Sequence, residues 1–227
     1  MRILVTGISG GIGRAFRERA AHEPGWVVEG LARRPAAHDH VFDVTWPPSR
    51  LQEAVDWVPS LDVICCLAGA DILSPPLRQA SYLERLDALY QVDLAGTVKT
   101  VQALLPKLSY GGTIIVMGWD RASLGKAGEP GELYALAKGA LTSWAKSLAL
   151  TLSERATVYV VAPGWIRTRW GNSLTKEQQS RIASRTRLGR WQTPEDVAEV
   201  LVALIKFPRG LATGQVVYVN GGDVLPS

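Results

Sequence analysis

Sulfur and imidazole side chains are scarce in this chain, which holds two cysteines and three histidines among 227 residues. Cys65 and Cys66 are adjacent within an apolar run, which suits neither a disulfide framework nor a CxxC metal site, so buried reduced thiols are expected. No apolar run approaches the roughly 20 residues of a membrane helix, and the first seven residues resemble a strand entering a glycine turn rather than a signal peptide. The sequence therefore predicts a soluble, cytoplasmic protein that uses no metal and contacts no membrane.

A strong excess of one charge is also missing, because 25 Lys and Arg stand against 21 Asp and Glu for a net charge of +4. Binding to nucleic acid would require a basic stripe, so no nucleic-acid partner is predicted. The tightest basic cluster is Arg181, Arg185, Arg187 and Arg190. Two interpretations of this cluster stay open: a solvated helix face, or a site for an anionic substrate.

Apolar segments of strand length alternate with longer segments of helical periodicity, the pattern of βαβ units around a parallel sheet. Strands are predicted at 3–5, 27–31, 41–42, 63–67, 113–117, 158–161 and 216–219. Helices are predicted at 12–21, 51–58, 82–108, 133–152 and 194–205, with a turn at Gly111-Gly112 after the third. The expected architecture is a Rossmann-type α/β fold, a doubly wound parallel sheet flanked by helices in three layers, forming a single domain over residues 1–227.

A glycine-rich turn separates the first predicted strand from the first helix and contains Gly7, Ser9, Gly11, Ile12 and Gly13. Glycines in such a turn let the strand turn sharply, let the main chain approach a pyrophosphate and let helix and strand pack closely. The unpaired N–H groups of the helix start would then face the phosphates. We predict that this turn binds a dinucleotide; a purely structural turn is the alternative.

The end of the second predicted strand bears on the choice of dinucleotide, because it carries Arg33 and Arg34 and no acid. An acidic residue there would accept hydrogen bonds from a ribose 2′-OH and would repel a 2′-phosphate. Arg33 offers a bidentate guanidinium to a phosphate instead. NADP(H) is therefore predicted over NAD(H), the alternative being that both arginines are surface charges of a loop.

Tyr134 and Lys138 are four residues apart in a predicted helix, so their side chains share one face. Lowering the pKa of a phenol from about 10 to about 7 needs roughly 4 kcal/mol of differential stabilisation of the phenolate. A lysine ammonium in a partly desolvated cleft is a sufficient source. The pair is predicted to supply acid–base catalysis and to contact the cofactor; a surface pair is the alternative.

Together these motifs resemble the classical short-chain dehydrogenase/reductase family over essentially the whole chain. The family's TGxxxGxG corresponds to residues 6–13, and its YxxxK to Tyr134 and Lys138. The resemblance implies further cofactor-binding residues, with Thr168 and the Ile166 backbone orienting the nicotinamide. These residues are Asp43, Val44, Ala68, Gly69, Pro163, Gly164, Ile166 and Thr168.

Two departures from the family's pattern concern asparagines. The NNAG motif begins here as Cys66-Leu67, so two side-chain amides are lost from a motif that mainly steadies the sheet. The asparagine of VNLxG, which supports a proton relay to the lysine in the family, is Asp93. A carboxylate accepts hydrogen bonds but donates none, so the relay would have to change.

A third departure concerns the family's catalytic serine, whose position holds Trp119 or Gly118. That hydroxyl would donate to the substrate carbonyl and stabilise developing charge. Asp120 could replace it if protonated in an apolar pocket, and Ser123 could replace it if the loop folds back.

The leading hypothesis is reversible hydride transfer between NADP(H) and a small carbonyl or alcohol substrate. Tyr134 would be the acid/base, Lys138 would lower its pKa and bind the ribose, and Asp120 or Ser123 would assist. The loss of serine favours a second hypothesis, an NADP(H)-binding sensor or partner subunit with little dehydrogenase activity; a dehydratase or epimerase on the same fold is a third. The helices predicted at 82–108 and 133–152 resemble those that pair in the family, so a homo-oligomer, a dimer or tetramer, is expected.

Overall fold

One sheet organises the computed structural model, which describes residues 1–36, 39–167 and 174–225. Its strands are β1 (Arg2–Thr6), β2 (Val27–Ala32), β3 (His40–Val41), β4 (Leu61–Cys66), β5 (Leu108–Met117), β6 (Ala156–Pro163) and β7 (Gln215–Val219). All pair in parallel in the order β3-β2-β1-β4-β5-β6-β7. The direction of winding changes between β1 and β4, which is where a doubly wound sheet binds ligands.

Helices cover both faces of this sheet. They are α1 (Gly11–Ala20), α2 (Pro48–Ala54), α3 (Tyr82–Leu89), α4 (Thr97–Leu104), α5 (Glu129–Leu152), α6 (Lys176–Ala183) and α7 (Pro194–Lys206). Ile3 and Val5 pack with α1 and α7 on one face, whereas Leu4 packs with α2, α4 and α5 on the other. Alternate residues of a strand point to opposite faces, so a wholly apolar strand is what a three-layer fold requires. The predicted fold class is confirmed.

The predicted helix at 82–108 and the turn after it are wrong in detail. The segment is divided into α3, a π-helical turn at Tyr90–Gly96, and α4, and it ends in a short 3-10 turn at Leu105–Lys107. Gly111 and Gly112 lie inside β5, where the register against β4 shifts between Leu61 and Val63. Gly111 has a φ of +72°, and a Cβ on Gly112 would lie 2.6 Å from Leu108 Cδ1. These glycines therefore accommodate a bulge in a strand rather than a turn.

Helices α7 and α6 differ in how well the sequence pattern predicts them. The predicted start of α7 is confirmed, since the Thr193 hydroxyl accepts from the Asp196 N–H at 3.4 Å in a capping box with proline in the first turn. The bounds of α6 were not predicted; this helix is capped by Thr175 and buries none of its residues. Without a buried face a helix leaves no apolar periodicity. In the described part of the chain, no helix is long and apolar enough to span a membrane.

Candidate functional site

A cleft of about 1000 Å³ opens at the carboxyl ends of β1, β2 and β4. Seven of the predicted cofactor-binding residues line it: Gly7, Ser9, Arg33, Asp43, Val44, Ala68 and Gly69. Asp43 is held in place by hydrogen bonds from both the N–H and the hydroxyl of Thr45 to its Oδ1, at 2.9 and 2.8 Å. The topology thus gathers residues that are 60 positions apart in sequence around one cavity of dinucleotide size.

The glycine turn is fixed by close packing of main chain. Gly7 has a φ of +71°, and a Cβ there would lie 2.6 Å from the backbone nitrogen of Ala68. A Cβ on Gly13 would lie 2.4 Å from the carbonyl oxygen of Gly7. Gly11 and Ile12 form the first turn of α1, with Ile12 packed against the core. Side chains at Gly7 and Gly13 would force the turn open, so the N-terminal end of α1 stays beside the cleft.

A second cleft, of about 650 Å³, adjoins the first and is lined by Ser9, Arg14, Arg33 and Arg34. Sequence reasoning singled out Arg33 and did not include Arg14. The signal for Arg14 was its place in the first turn of α1 next to the buried Ala15, which directs the arginine outward. Three arginines therefore line one cavity, which gives it a positive charge.

Asp39, the acid that follows Arg33 and Arg34 in the sequence, is already engaged. Asp39 accepts hydrogen bonds from the N–H groups of Gly30 and Ala36 at 3.1 and 3.3 Å, and it forms an ion pair with Arg17. Its side chain is only 3% exposed. Asp39 therefore stabilises the segment after β2 and presents no carboxylate to the cleft, in agreement with the absence of an acid at the strand end.

Asp93 and Lys138 form a buried ion pair beside the first cleft. The Lys138 ammonium lies 2.7 Å from Asp93 Oδ1 and donates to the Met117 carbonyl at 2.7 Å. The other carboxylate oxygen accepts from the Ala70 N–H, also at 2.7 Å. Asp93 comes from the π-helical turn, so this irregularity places its carboxylate between β4 and α5.

Tyr134 lies one helical turn from Lys138 and donates its hydroxyl to the Ala70 carbonyl at 3.3 Å. Burial raises the pKa of the phenol, and the carboxylates of Asp93 and Asp71 raise it further. The expectation that Lys138 lowers this pKa is wrong for the arrangement observed. Asp93 binds the ammonium directly, and its negative charge opposes the effect of the lysine on the phenol.

Of the two residues predicted at the serine position, Trp119 is the one that lies beside Tyr134. A Cβ on Gly118 would lie 2.6 Å from Val160 Cγ1, so that position faces the packed interior of the sheet. The next residue, Trp119, faces Tyr134, with ring centroids 5.8 Å apart. The indole therefore covers the phenol where a hydroxyl would be expected.

Asp120 and Ser123 lie elsewhere in the same loop. Asp120 is buried against the β7 side, where the Asn220 amide donates to its Oδ2 at 3.4 Å and its own N–H donates to the Pro163 carbonyl at 3.1 Å. Burial raises its pKa to about 6. Ser123 is exposed in the turn that follows. Neither side chain has a contact with the phenol like that of Trp119.

The end of β6 and the loop after it hold three of the predicted nicotinamide-binding residues. The Gly164 N–H donates to the Val219 carbonyl at 3.0 Å, and Pro163 is buried at the end of β6. Ile166 pairs with Gln192 in an isolated bridge. Thr168, predicted to orient the nicotinamide, lies outside the described residues.

Comparison with known proteins gives consistent matches along the chain. A family model described as enoyl-(acyl carrier protein) reductase matches residues 31–223. Among curated relatives, 3-oxoacyl-(acyl-carrier-protein) reductases of Thermotoga maritima and Rickettsia typhi are 29% and 27% identical, each over 98% of this chain and over 97% and 96% of their own. Ligand-free aldohexose dehydrogenase of Thermoplasma acidophilum is 25% identical with a TM-score of 0.83, over 97% of this chain and 92% of that one.

These matches run through the same segments that build the cleft and carry the tyrosine and lysine. The family model alone spans all of the chain from the end of β2 to the turn after β7. The chain therefore belongs to the classical short-chain dehydrogenase/reductase family of oxidoreductases.

Proposed function

We propose that this protein, as one domain over residues 1–227, is an NADP(H)-dependent oxidoreductase that interconverts a carbonyl and an alcohol. The observation that carries the proposal is the cleft of about 1000 Å³ whose walls hold Gly7, Ser9 and Gly69 and whose edge lies beside the Tyr134–Lys138 helix. When bound, the nicotinamide supplies or accepts the hydride. The residues of the chain bind and orient the nicotinamide, and they donate or accept the proton.

The cavity fits the dinucleotide in shape and in charge. The first turn of α1 and the glycine turn would bind the pyrophosphate through main-chain N–H groups. Asp43 and Val44 line the end expected to hold the adenine. Lys138 would donate to ribose hydroxyls, as the family resemblance implies, from a position fixed by Asp93 and the Met117 carbonyl.

Preference for the phosphorylated cofactor is supported by Arg14, Arg33 and Arg34, which line the smaller cleft together with Ser9. A 2′-phosphate placed there would meet three guanidiniums and the Ser9 hydroxyl. A 2′-OH would leave those positive charges without an anion. The acid that could have bound a 2′-OH is absent, since Asp39 is engaged by Arg17.

Tyr134 is suited to act as a proton donor. Because burial and two carboxylates raise its pKa, the phenol is protonated at neutral pH. A protonated phenol can donate to the oxygen of a carbonyl as that oxygen gains negative charge, and the raised pKa makes it a weaker acid than a free phenol. With Trp119 in the serine position, Tyr134 would be the main donor to that oxygen.

The same observations favour a second candidate, an NADP(H)-binding sensor or partner subunit with little turnover. Asp93 neutralises the lysine, and Trp119 supplies no hydroxyl. Such a protein would bind NADPH through the arginine cluster without reducing carbonyl compounds.

Tyr134→Phe separates the two functions. If the protein is an enzyme, loss of the phenol hydroxyl should lower kcat for NADPH-dependent carbonyl reduction by at least about 10², the usual contribution of general acid–base catalysis. The dissociation constant of NADPH, measured by fluorescence titration, should change little. Tyr110→Phe is the matched control, because that phenol is exposed on β5, where its hydroxyl donates to Glu154 at 3.1 Å. Wild-type turnover in Tyr134→Phe would contradict the mechanism, and tight NADPH binding without turnover in the native protein would support the sensor.

Self-association is also proposed, on the exposed apolar residues of the two helical segments expected to pair. Leu83, Tyr90, Leu136 and Leu150 are between 50% and 83% exposed. A helix partly buried in a monomer shows one apolar face; α5 buries Leu141 and Leu148 and also exposes Leu136 and Leu150. A monomer by light scattering at micromolar concentration would contradict this proposal. The cytoplasmic location predicted from the sequence stays a prediction.

A further inference from the structure

Two arginines converge on one carboxylate beyond the carboxyl ends of β5 and β7. Arg121 and Arg185 donate to the two oxygens of Asp223 at 2.9 and 3.1 Å. Asp223 is nearly inaccessible, with a side chain 3% exposed, whereas Arg185 is 44% exposed. A single guanidinium would neutralise Asp223, so the second brings a positive charge in excess.

Lys126 adds a third cation to the same place. Its ammonium lies 4.1 Å from the centroid of the Trp165 ring. Burial lowers the pKa of Lys126, and the charges of Arg121 and Arg185 lower it further, which places all three cations within reach of one another. The carboxylates of Asp120 and Asp223 oppose this repulsion by raising the pKa of Lys126, so three cations face two anions and one positive charge remains in excess.

The arginines that cluster in the sequence have different partners in the structure. Arg190 is bound bidentately by Asp196 at 2.6 and 2.8 Å and serves the start of α7. Arg185 joins Arg121 and Lys126 instead, in the group we call the basic mouth (Arg121, Lys126 and Arg185). Of the two interpretations of the sequence cluster, the solvated face suits Arg190 and the anion site suits Arg185.

The basic mouth stands at the substrate side of the sheet. Arg121 follows Trp119, which packs on Tyr134, and Trp165 follows β6 in the loop predicted to hold the nicotinamide. The arginine cluster at Arg33 lies after β2, and two strands, β1 and β4, separate β2 from β5, which leads to the basic mouth. The two basic clusters therefore serve different anions.

We propose that the basic mouth binds an anionic oxygen group, a carboxylate or a phosphate monoester, on the carbonyl substrate. This inference rests on the proposed carbonyl reduction and adds the class of its substrate. Lys126 would donate to the anion from above the Trp165 ring, and Arg185 would donate through the guanidinium nitrogens that Asp223 does not engage. The carbonyl end would then extend toward Tyr134.

The test compares three aldehydes of similar shape: 4-formylbenzoate, 4-formylphenyl phosphate and methyl 4-formylbenzoate. Each is titrated into the protein–NADPH complex by calorimetry and then assayed for NADPH oxidation. Both anions should bind at least about tenfold more tightly than the neutral ester, the effect of one charge-assisted contact. Whichever anion binds more tightly identifies the group as carboxylate or phosphate.

Lys126→Gln should weaken binding of the anions about tenfold and leave the ester unchanged, while Lys126→Arg should restore most of the loss. Lys146→Gln on the exposed face of α5 is the matched control and should change nothing. Equal binding of ester and anions, or equal effects of Lys126→Gln and Lys146→Gln, would overturn the inference. Binding of anions that depends on Lys126, without NADPH oxidation, would uphold the basic mouth and refute the proposed reduction.

Discussion

The buried pair of Asp93 and Lys138 offers the sharpest test of the site's energetics. Its charged atoms lie 2.7 Å apart on side chains 2% and 7% exposed. At an effective dielectric constant of about 20, two unit charges at that distance attract by about 6 kcal/mol. Removing both ions from water costs several kcal/mol each, so the net contribution of the pair to stability is small.

Removing one partner has a different outcome, because the other charge stays buried. Asp93→Ala leaves the Lys138 ammonium with the Met117 carbonyl alone, and Lys138→Met leaves the Asp93 carboxylate with the Ala70 N–H. Each single substitution should therefore lower the free energy of unfolding by about 3–5 kcal/mol. For a domain of this size that corresponds to a fall in Tm of roughly 10 °C. The double substitution should cost far less than the sum of the two.

Urea unfolding followed by circular dichroism measures all four proteins of this cycle. We expect a coupling free energy of at least about 2 kcal/mol between the two positions. Lys146→Met, on the exposed face of α5, is the control for loss of a lysine charge and should change stability by no more than about 0.5 kcal/mol. Additive effects, within about 0.5 kcal/mol, would show that the two side chains do not interact and would refute the ion pair.

Three further predictions concern single side chains of the site. Burial raises the pKa of Asp120 from 3.8 to about 6, so the protonated carboxyl stabilises the fold at acidic pH and this contribution is lost as the pH rises through 6. Asp120→Asn should therefore raise the free energy of unfolding by up to about 3 kcal/mol at pH 8 and by little at pH 4. An equal gain at both pH values would contradict the burial argument. Arg33→Ala and Arg14→Ala should each weaken NADPH binding about tenfold while leaving NADH binding unchanged, as measured by fluorescence titration; equal losses for both cofactors would exclude a 2′-phosphate role. Trp119→Ser should place a hydroxyl near Tyr134 and raise kcat by about 10²-fold, the scale of one oxyanion donor, whereas an unchanged kcat would mean that the serine position has no part in this reaction.

The sequence by itself determined the class of fold and most of the cofactor cleft. Strand runs such as Ile3–Leu4–Val5 are apolar on both faces, and helix starts such as Thr193 carry their own caps, so these elements are encoded by local patterns. Gly7 and Gly13 could be singled out from the backbone geometry of a tight turn, and Arg33 from its charge after a strand. Features of this kind depend on residues that are close in sequence, so they can be predicted without the tertiary structure.

The tertiary structure alone decided how the charges pair. Asp93 and Lys138 are 45 positions apart, and Arg121 and Asp223 are 102 apart, so no spacing rule could link either pair. Helix α6 buries none of its residues, so no apolar periodicity marked its bounds. The two glycines of β5 have the composition of a turn but lie at a bulge whose register is set by the neighbouring strand. A pKa depends on desolvation and on every charge within a few ångströms, which is why the spacing of Tyr134 and Lys138 predicted a lowered pKa for the phenol and the folded chain raises it.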